Sequence, residues 1–466
     1  MGLFSGRSEQ PVGQTSEAEI LTVLRQVQDP DLHKDIVSLE FIKDIRVNQG
    51  DVSFTIELTT PACPVRDQMK QEAHRLVSSL PGVKNVQIQM TSSVRATASP
   101  TKEKLIPHVK NIIPVASGKG GVGKSTVSAN IALALARTGA RVGLMDADVY
   151  GPSIPLIMGI KEPPKQINNR LIPPQRYGIK IISMGFFVPE TEAVIWRGPM
   201  LHKMVEQFLG NVEWGELDYL IVDLAPGTGD TQLSLCQMVP LTGAVIISTP
   251  QDVAIKVAQK AILMFDKLNC PILGMVENMS HFLCSHCGQR EEIFGSGGAQ
   301  KAAERFGIPF LGRIPLLTAI RMSADQGDPI VHADPESPIA KEIQKVAENL
   351  AAQVSIQNIQ RGTKMVPSKI GPTNQSQLQV DWSDGHQSIY SSRELRIACP
   401  CAECVNEITG ERRLDPNTIS TTIVPAVVNT VGRYALQIQW SDGHSTGLYG
   451  FEFLRKFCSC SKCRSR

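Results

Sequence analysis

The chain has 466 residues, room for about three domains of ordinary size. Its 47 Lys and Arg against 45 Asp and Glu leave a formal charge of +2, which argues against a chain built mainly to grip nucleic acid or an anionic membrane. With 42% hydrophobic and 20% charged residues the composition is globular, and no apolar run approaches the roughly 18 residues needed to span a bilayer.

The N-terminus, Met1-Gly2-Leu3-Phe4-Ser5-Gly6, has neither a signal-peptide apolar core nor an Arg-rich presequence. It resembles a myristoylation signal but has Gly6 where Ser or Thr is wanted. The expected location is cytoplasmic, or an organelle stroma or matrix if a presequence has been removed. Ser16-Glu17-Ala18-Glu19 is a capping box and predicts a helix with Ile20, Leu21, Leu24 and Val27 on one face. Val52, Phe54, Ile56 and Leu58 alternate with Ser53, Thr55 and Glu57, the pattern of a half-buried strand. A second helix is expected after Pro64, with Val65, Met69, Leu76 and Val77 apolar, and Val86, Ile88 and Met90 alternate again. Residues 14–92 therefore read as a small α+β domain.

Two stretches, 91–107 and 354–377, lack periodicity and read as linkers. Between them, apolar runs at 112–116, 142–145, 179–184, 217–223, 243–248, 272–276 and 309–314 alternate with helical stretches. That rhythm predicts a parallel sheet with helices on both faces, an α/β domain over 108–353. Residues 374–458 have short alternating runs and predict a β-rich domain, followed by a Cys-rich tail at 459–466. Within it Trp382-Ser383-Asp384-Gly385-His386 recurs as Trp440-Ser441-Asp442-Gly443-His444, each copy followed by Cys-x-Cys-x-x-Cys.

The strand at 112–116 runs into Ser117-Gly118-Lys119-Gly120-Gly121-Val122-Gly123-Lys124-Ser125-Thr126 and then a helix. This is a P-loop in its required context. Its glycines let backbone N–H groups turn onto phosphate oxygens at the positive end of a helix. Lys124 is expected to bridge the β- and γ-phosphates of ATP, and the Ser125 hydroxyl to ligate Mg²⁺. Two acid-terminated strands follow. Val142 to Asp148 ends in Asp146-Ala147-Asp148, and Tyr219 to Asp223 is a Walker B pattern whose Asp223 is expected to hold Mg²⁺ through water.

The 11 cysteines are clustered: Cys284/Cys287, Cys399/Cys401/Cys404 and Cys458/Cys460/Cys463, with Cys63, Cys236 and Cys270 alone. Such spacing in a reducing compartment reads as metal or cluster chemistry rather than a disulfide frame. Cys63 lies at a strand-to-helix junction. A helix N-terminus lowers a thiol's pKa, so Cys63 is either a transfer thiol or a half-buried packing cysteine.

The Lys-Gly-Gly-x-Gly-Lys-Ser form at Lys119–Ser125 resembles the deviant Walker motif of the MinD, ParA and Mrp class. The resemblance implies a nucleotide-sandwich homodimer in which Lys119 reaches the partner's nucleotide. It also makes Asp148 the residue that orients the attacking water, Pro226–Asp230 the second switch, and Asn278 the adenine reader. Asp148-Val149-Tyr150-Gly151-Pro152-Ser153, Arg197-Gly198-Pro199-Met200 and Pro226-Gly227-Thr228-Gly229-Asp230 narrow the likeness to the Mrp/ApbC iron–sulfur cluster carriers, with Ala225 where that family commonly has Pro. There, Cys284-x-x-Cys287 would join its copy in a second subunit to hold one [4Fe–4S] cluster. Two thiols cannot close a four-iron cluster and two subunits can. The same four sulfurs could hold Zn²⁺, and His286 inside the motif is a further candidate ligand.

Asp29-Pro30-Asp31 and Asp35-Ile36-Val37 resemble the small domain of iron–sulfur assembly factors. The last domain resembles the N-terminal domain of γ-butyrobetaine-type dioxygenases, which implies a Zn²⁺ held by Cys399, Cys401, Cys404 and His444, the alternative being a second cluster. His386 in the earlier copy is expected to be a strand-turn residue. Cys458, Cys460 and Cys463 are either a frayed tail or a transient metal-delivery group. The three-part layout resembles the chloroplast Mrp-like carriers. The expected partners are a second copy of the chain, an upstream cluster scaffold and apo iron–sulfur proteins, with no nucleic acid and no membrane. A MinD/ParA-like positioning ATPase would need an amphipathic membrane helix or a DNA-binding surface. A zinc-stabilised adaptor without ATPase activity would not need Lys124, Ser125 and Asp223 intact.

Overall fold

The computed structural model describes residues 15–32, 34–97, 105–187, 198–227, 229–284, 287–364, 367–374, 377–382, 385–405, 411–431, 435–460 and 463. The N-terminal Met1–Gly6 segment, Arg197, Thr228 and His286 lie outside these. The chain divides near residue 357 into two compact units. Among the described residues no helix is long and apolar enough to cross a membrane.

The first unit opens with α1 (Glu17–Leu24). Glu19 N–H donates to Ser16 Oγ at 3.3 Å, and the Glu19 carboxylate accepts from Ser16 N at 2.7 Å. Such a cap is worth about 1 kcal/mol because it satisfies N–H groups the helix itself leaves open. Three strands follow: β1 (Ile42–Asn48), β2 (Asp51–Leu58) and, after α2 (Arg66–Ser78), β3 (Asn85–Ser92). The order is β1-β2-β3, with β2 and β3 parallel. Val52, Phe54, Ile56 and Leu58 turn to the core, where Met69, Ala73, Leu76 and Val77 of α2 meet them.

The large sheet begins with β4 (Val109–Ser117), followed by α3 (Lys124–Arg137). It continues through β5 (Val142–Ala147), β6 (Ile179–Ser183), β7 (Leu217–Leu224), β8 (Ala244–Ser248), β9 (Ile272–Leu283) and β10 (Phe310–Leu316). The spatial order of these seven is β6-β5-β7-β4-β8-β9-β10, every neighbour pair parallel, and two short strands, Gln175–Arg176 on β6 and Arg290–Glu291 on β9, complete a nine-stranded sheet by antiparallel pairing. Each of the seven lies where an apolar run was read. Both faces are covered: Ile113 and Val115 of β4 enter one core, Ile112 and Ala116 the other. β5 and β8 leave on opposite sides of the β7–β4 pair, so the chain reverses direction beside the carboxyl end of β4, the place where open α/β sheets bind ligands. The small N-terminal sheet packs in the same unit. Thr60 Oγ1 and Tyr219 OH are hydrogen-bonded at 3.1 Å, and Ala62 joins the large core.

One linker expectation is corrected. The segment 354–364 is the last part of α8 (Pro338–Lys364), and a strand begins at Pro367. Buried Val354, Ser355 and Asn358 continue a helix whose polar residues had masked its period.

The second unit is built twice. The first half has β11 (Pro367–Asn374), β12 (Gln377–Trp382), β13 (Gln387–Ser391) and α9 (Ser392–Ile397). The second has β14 (Pro425–Val431), β15 (Ala435–Trp440), β16 (Leu448–Gly450) and α10 (Phe451–Phe457). Each half is a three-stranded antiparallel sheet. Trp382 and Trp440 are both fully buried in one shared core. The stretch expected as a tail packs there too: Cys458 is buried, and Cys460 and Cys463 lie against the same cluster.

Candidate nucleotide site and cysteine centres

The loop from Ser117 to Gly123 leaves β4 and delivers Lys124 and Ser125 to the first turn of α3. It lines a cavity of about 280 Å³ together with Asp148, Ser153, Ile157 and Pro226. Gly118 is there because nothing larger fits: a Cβ would meet the backbone of Val257 and Ala258 at 2.5 Å. The loop is thus pressed against α6 (Asp252–Lys267).

Asp223, at the end of β7, gathers the P-loop side chains. Its Oδ2 lies 2.8 Å from Lys124 Nζ and accepts from Ser125 Oγ at 2.5 Å, and its Oδ1 accepts from Ser128 Oγ at 2.7 Å. Lys124 Nζ is 3.7 Å from Asp148 Oδ2. The Asp148 carboxyl is raised, chiefly by burial, with Lys124 pulling the other way. Asp146 is fully buried and pushed up to about 7, by burial first and then by the charge of Asp223. It accepts from Ser183 Oγ at 2.8 Å and from the amides of Asp148 and Ile154, so it braces the turn carrying Asp148. A hydroxyl and a carboxylate side by side form a hard oxygen set that suits Mg²⁺.

Lys119 Nζ donates to Gln251 Oε1 at 3.1 Å. Asn278 Nδ2 donates to the Val122 carbonyl at 2.8 Å, so this side chain lies on the P-loop. Several site residues escaped the sequence reading. Gln232 accepts from Gly229 N–H and donates to the Ala225 and Gly227 carbonyls, pinning the segment after Asp223. Glu277, fully buried, accepts from the amides of Gly297 and Ala299 and lies 3.3 Å from Arg313 Nε, fixing β9 beside Asn278. Ser128, one turn past Lys124, had a readable signal in its i+4 spacing; Gln232 and Glu277 had none.

Cys284 and Cys287 follow the end of β9. Gly288 N–H donates to Cys284 O at 2.8 Å and Cys284 N–H to Gln289 O at 3.0 Å; Cys284 is half-buried and Cys287 exposed. Cys63 is packed against the N-terminal core, and burial pushes its thiol up to about 11, outweighing the adjacent helix end.

In the second unit Cys399, Cys401, Cys404 and His444 converge, with His444 Nε2 at 3.3, 3.4 and 3.8 Å from the three sulfurs. Arg396 donates to Cys404 Sγ at 3.5 Å and to Asp442 at 2.9 Å. His386 is not a mere turn residue: it meets Cys458, Cys460 and Cys463. The signal was in the repeated pentapeptide, and what hid it was that the histidine and its cysteines belong to different copies.

A glycine loop at the switch point, a buried Walker lysine and two strand-end acids define a P-loop NTPase. The chain belongs to the NUBPL iron-transfer P-loop NTPase family, whose profile matches residues 108–351. Two further profiles match, iron–sulfur cluster assembly protein at 17–89 and γ-butyrobetaine hydroxylase-like N-terminal domain at 372–455. An iron–sulfur cluster carrier protein of Synechocystis is 47% identical over 343 residues, covering 72% of this chain and 97% of the relative. A chloroplastic Fe–S cluster assembly factor of Arabidopsis thaliana is 40% identical over 443 residues, covering 93% and 81%. The iron–sulfur cluster transfer protein NUBPL of Dictyostelium discoideum is 51% identical over 256 residues, covering 54% and 79%.

Proposed function

We propose that this protein is an ATP-hydrolysing iron–sulfur cluster carrier. It holds a [4Fe–4S] cluster as cargo on Cys284 and Cys287 of two subunits and passes it to apo-proteins. The observation that carries the reading is the path of β9. Asn278 touches the P-loop, and Cys284 follows six residues later, just past the end of the same strand and at most about 20 Å away. Nucleotide at the P-loop and a cluster at the thiols would therefore act on one strand.

Two observations support a second subunit. Among the described residues neither Cys284 nor Cys287 belongs to a group of three or more ligand side chains, and two thiols by themselves do not close a four-iron cluster. The carboxyl edge of the sheet also carries exposed apolar side chains soon after several strands: Tyr150 after β5, Phe187 after β6 and Val253 after β8. Such a rim suits burial against a like surface. In that dimer Lys119 would reach the partner's nucleotide and Asp148 would orient water, while Mg²⁺, held by Ser125 and Asp223, would neutralise phosphate charge. Eleven free cysteines fit a cytoplasmic, stromal or matrix setting. Cys399, Cys401, Cys404 and His444 would hold a structural Zn²⁺.

Anaerobic reconstitution of wild type and of Cys284→Ser/Cys287→Ser tests the carrier. The variant should lose the oxygen-labile chromophore and the transfer of iron to an apo-acceptor, and should keep its ATP affinity. A variant that still holds four irons per dimer and still transfers them overturns the assignment.

A further inference from the structure

The second unit contains another ligand group besides the Cys399 centre. His386 Nε2 lies 3.4 Å from Cys458 Sγ, 3.7 Å from Cys460 Sγ and 3.6 Å from Cys463 Sγ. A zinc ion bound tetrahedrally, at about 2.3 Å to sulfur and 2.0–2.1 Å to nitrogen, separates those two donors by ~3.6 Å. The three distances bracket that edge without any rearrangement. A four-iron cluster binds each cysteine to a different iron and so spreads its sulfurs much wider than a single ion does. Here all four ligand atoms lie within 4.8 Å of one another.

We propose that His386, Cys458, Cys460 and Cys463 form a second structural Zn²⁺ site, and that the two sites are exchanged between the halves of an internal duplication. The repeat is visible at every level. Trp382 and Trp440 N–H each donate to the carbonyl of the histidine four residues on, at 2.8 Å in both. Gly385 and Gly443 N–H each return to the Trp carbonyl at 3.0 Å, at φ of +77° and +86°, a conformation that favours glycine. Cys404 and Cys463 N–H each donate to the carbonyl of the middle cysteine, at 2.9 and 3.1 Å. Yet each cysteine triplet takes its histidine from the other half. His444 serves Cys399, Cys401 and Cys404, and His386 serves Cys458, Cys460 and Cys463.

The exchange follows from the shared core. Tyr390 OH of the first half donates to Leu454 O of the second at 2.7 Å, and the Trp382 and Phe451 rings meet edge to face, 6.0 Å between centroids. Each half thus lays its helix and cysteine loop against the other's pentapeptide turn. Four protein ligands close the coordination shell, which is the arrangement of a structural rather than a catalytic zinc. Two reciprocal metal links would staple halves that each present only one small sheet and one short helix.

Metal counting tests this on the full chain carrying Cys284→Ser/Cys287→Ser, so that the cluster thiols do not contribute. Cobalt titration should give thiolate charge-transfer intensity that breaks at two equivalents per chain, and the protein equilibrated with zinc should retain two. His386→Ala/Cys460→Ser should retain one, and so should Cys401→Ser/His444→Ala. His386→Cys, which restores a sulfur ligand, should retain two. A break at one equivalent in the unaltered second unit overturns the proposal, and because it needs no variant of that unit it is independent of variant folding. Two zinc ions retained by His386→Ala/Cys460→Ser, or iron with acid-labile sulfide at this group, would overturn it equally.

Discussion

Lys124 Nζ stands 2.8 Å from Asp223 Oδ2, both side chains nearly or wholly out of solvent. The P-loop lysine and the Walker B acid are therefore one electrostatic unit, with Ser125 and Ser128 donating to the same carboxylate. A buried pair of this kind is costly to break from one side, because the survivor is left charged without a partner. In the proposed reaction Lys124 would belong to ground-state phosphate binding, and Asp148, 3.7 Å from the lysine, to the chemistry of water.

Lys124→Ala should weaken nucleotide binding by about a hundredfold or more, whereas Asp148→Asn should bind nearly as wild type and lose roughly 10²-fold or more in turnover. Fluorescent-nucleotide titration and phosphate release separate the two. An Asp148→Asn protein with undiminished kcat removes that residue from the chemistry.

Gly118→Ala places a Cβ 2.5 Å from the backbone of α6, where neither side has a flexible chain end to give way. Overpacking of this kind costs about 1–3 kcal/mol. The expected result is a lower melting temperature together with at least a tenfold weaker nucleotide affinity, since the loop must shift. Wild-type values of both in a melting scan and a titration would show that the loop is not held against the helix.

Asp146 carries a carboxyl raised from the usual carboxylate range to about 7. An acid that is harder to ionise when folded makes the native state bind more protons than the unfolded chain between those values, so stability falls as pH rises through that window. Asp146→Asn removes this dependence. Without nucleotide or magnesium, the melting temperature of the variant minus that of wild type should therefore climb by several degrees from pH 5 to pH 8, each 1 kcal/mol being worth ~2–4 °C in a domain of this size. A difference independent of pH contradicts the raised carboxyl.

His444→Ala should release one zinc and lower the melting transition of the second unit by several degrees, leaving ATP hydrolysis and the transition of the first unit unchanged. The metal contributes folding free energy only to the unit whose ligands it joins. Full zinc content in the variant would mean that the ligand set is wrong.

Much of this molecule is legible in its residues. The seven parallel strands of the large sheet follow from apolar runs too short to be helices, and the P-loop from a glycine pattern between a strand and a helix. Local physics suffices there, because burial period and backbone freedom act within a few residues of one another. Asp146 and Asp223 could be read as strand-end acids, but not that one would be a brace with a raised carboxyl and the other the hub of three side chains, Lys124, Ser125 and Ser128. Those roles depend on parallel register, which sets Asp223 beside Asp146 across β7 and β5. The helix through 354–364 was hidden because its buried face includes Ser355 and Asn358, polar residues whose burial only packing decides.

The cysteine centres mark the boundary most clearly. By itself the sequence determined that cysteines come in metal-binding spacings and that a pentapeptide ending in histidine recurs. The likeness to a known domain implied His444 for the first triplet; only the tertiary structure gave His386 to the second, and with it a pairing that crosses the repeat. The physical reason is that one half alone cannot bury Trp382 or Trp440: the two sheets must share a core, and that packing carries each helix and its cysteines to the turn of the other half.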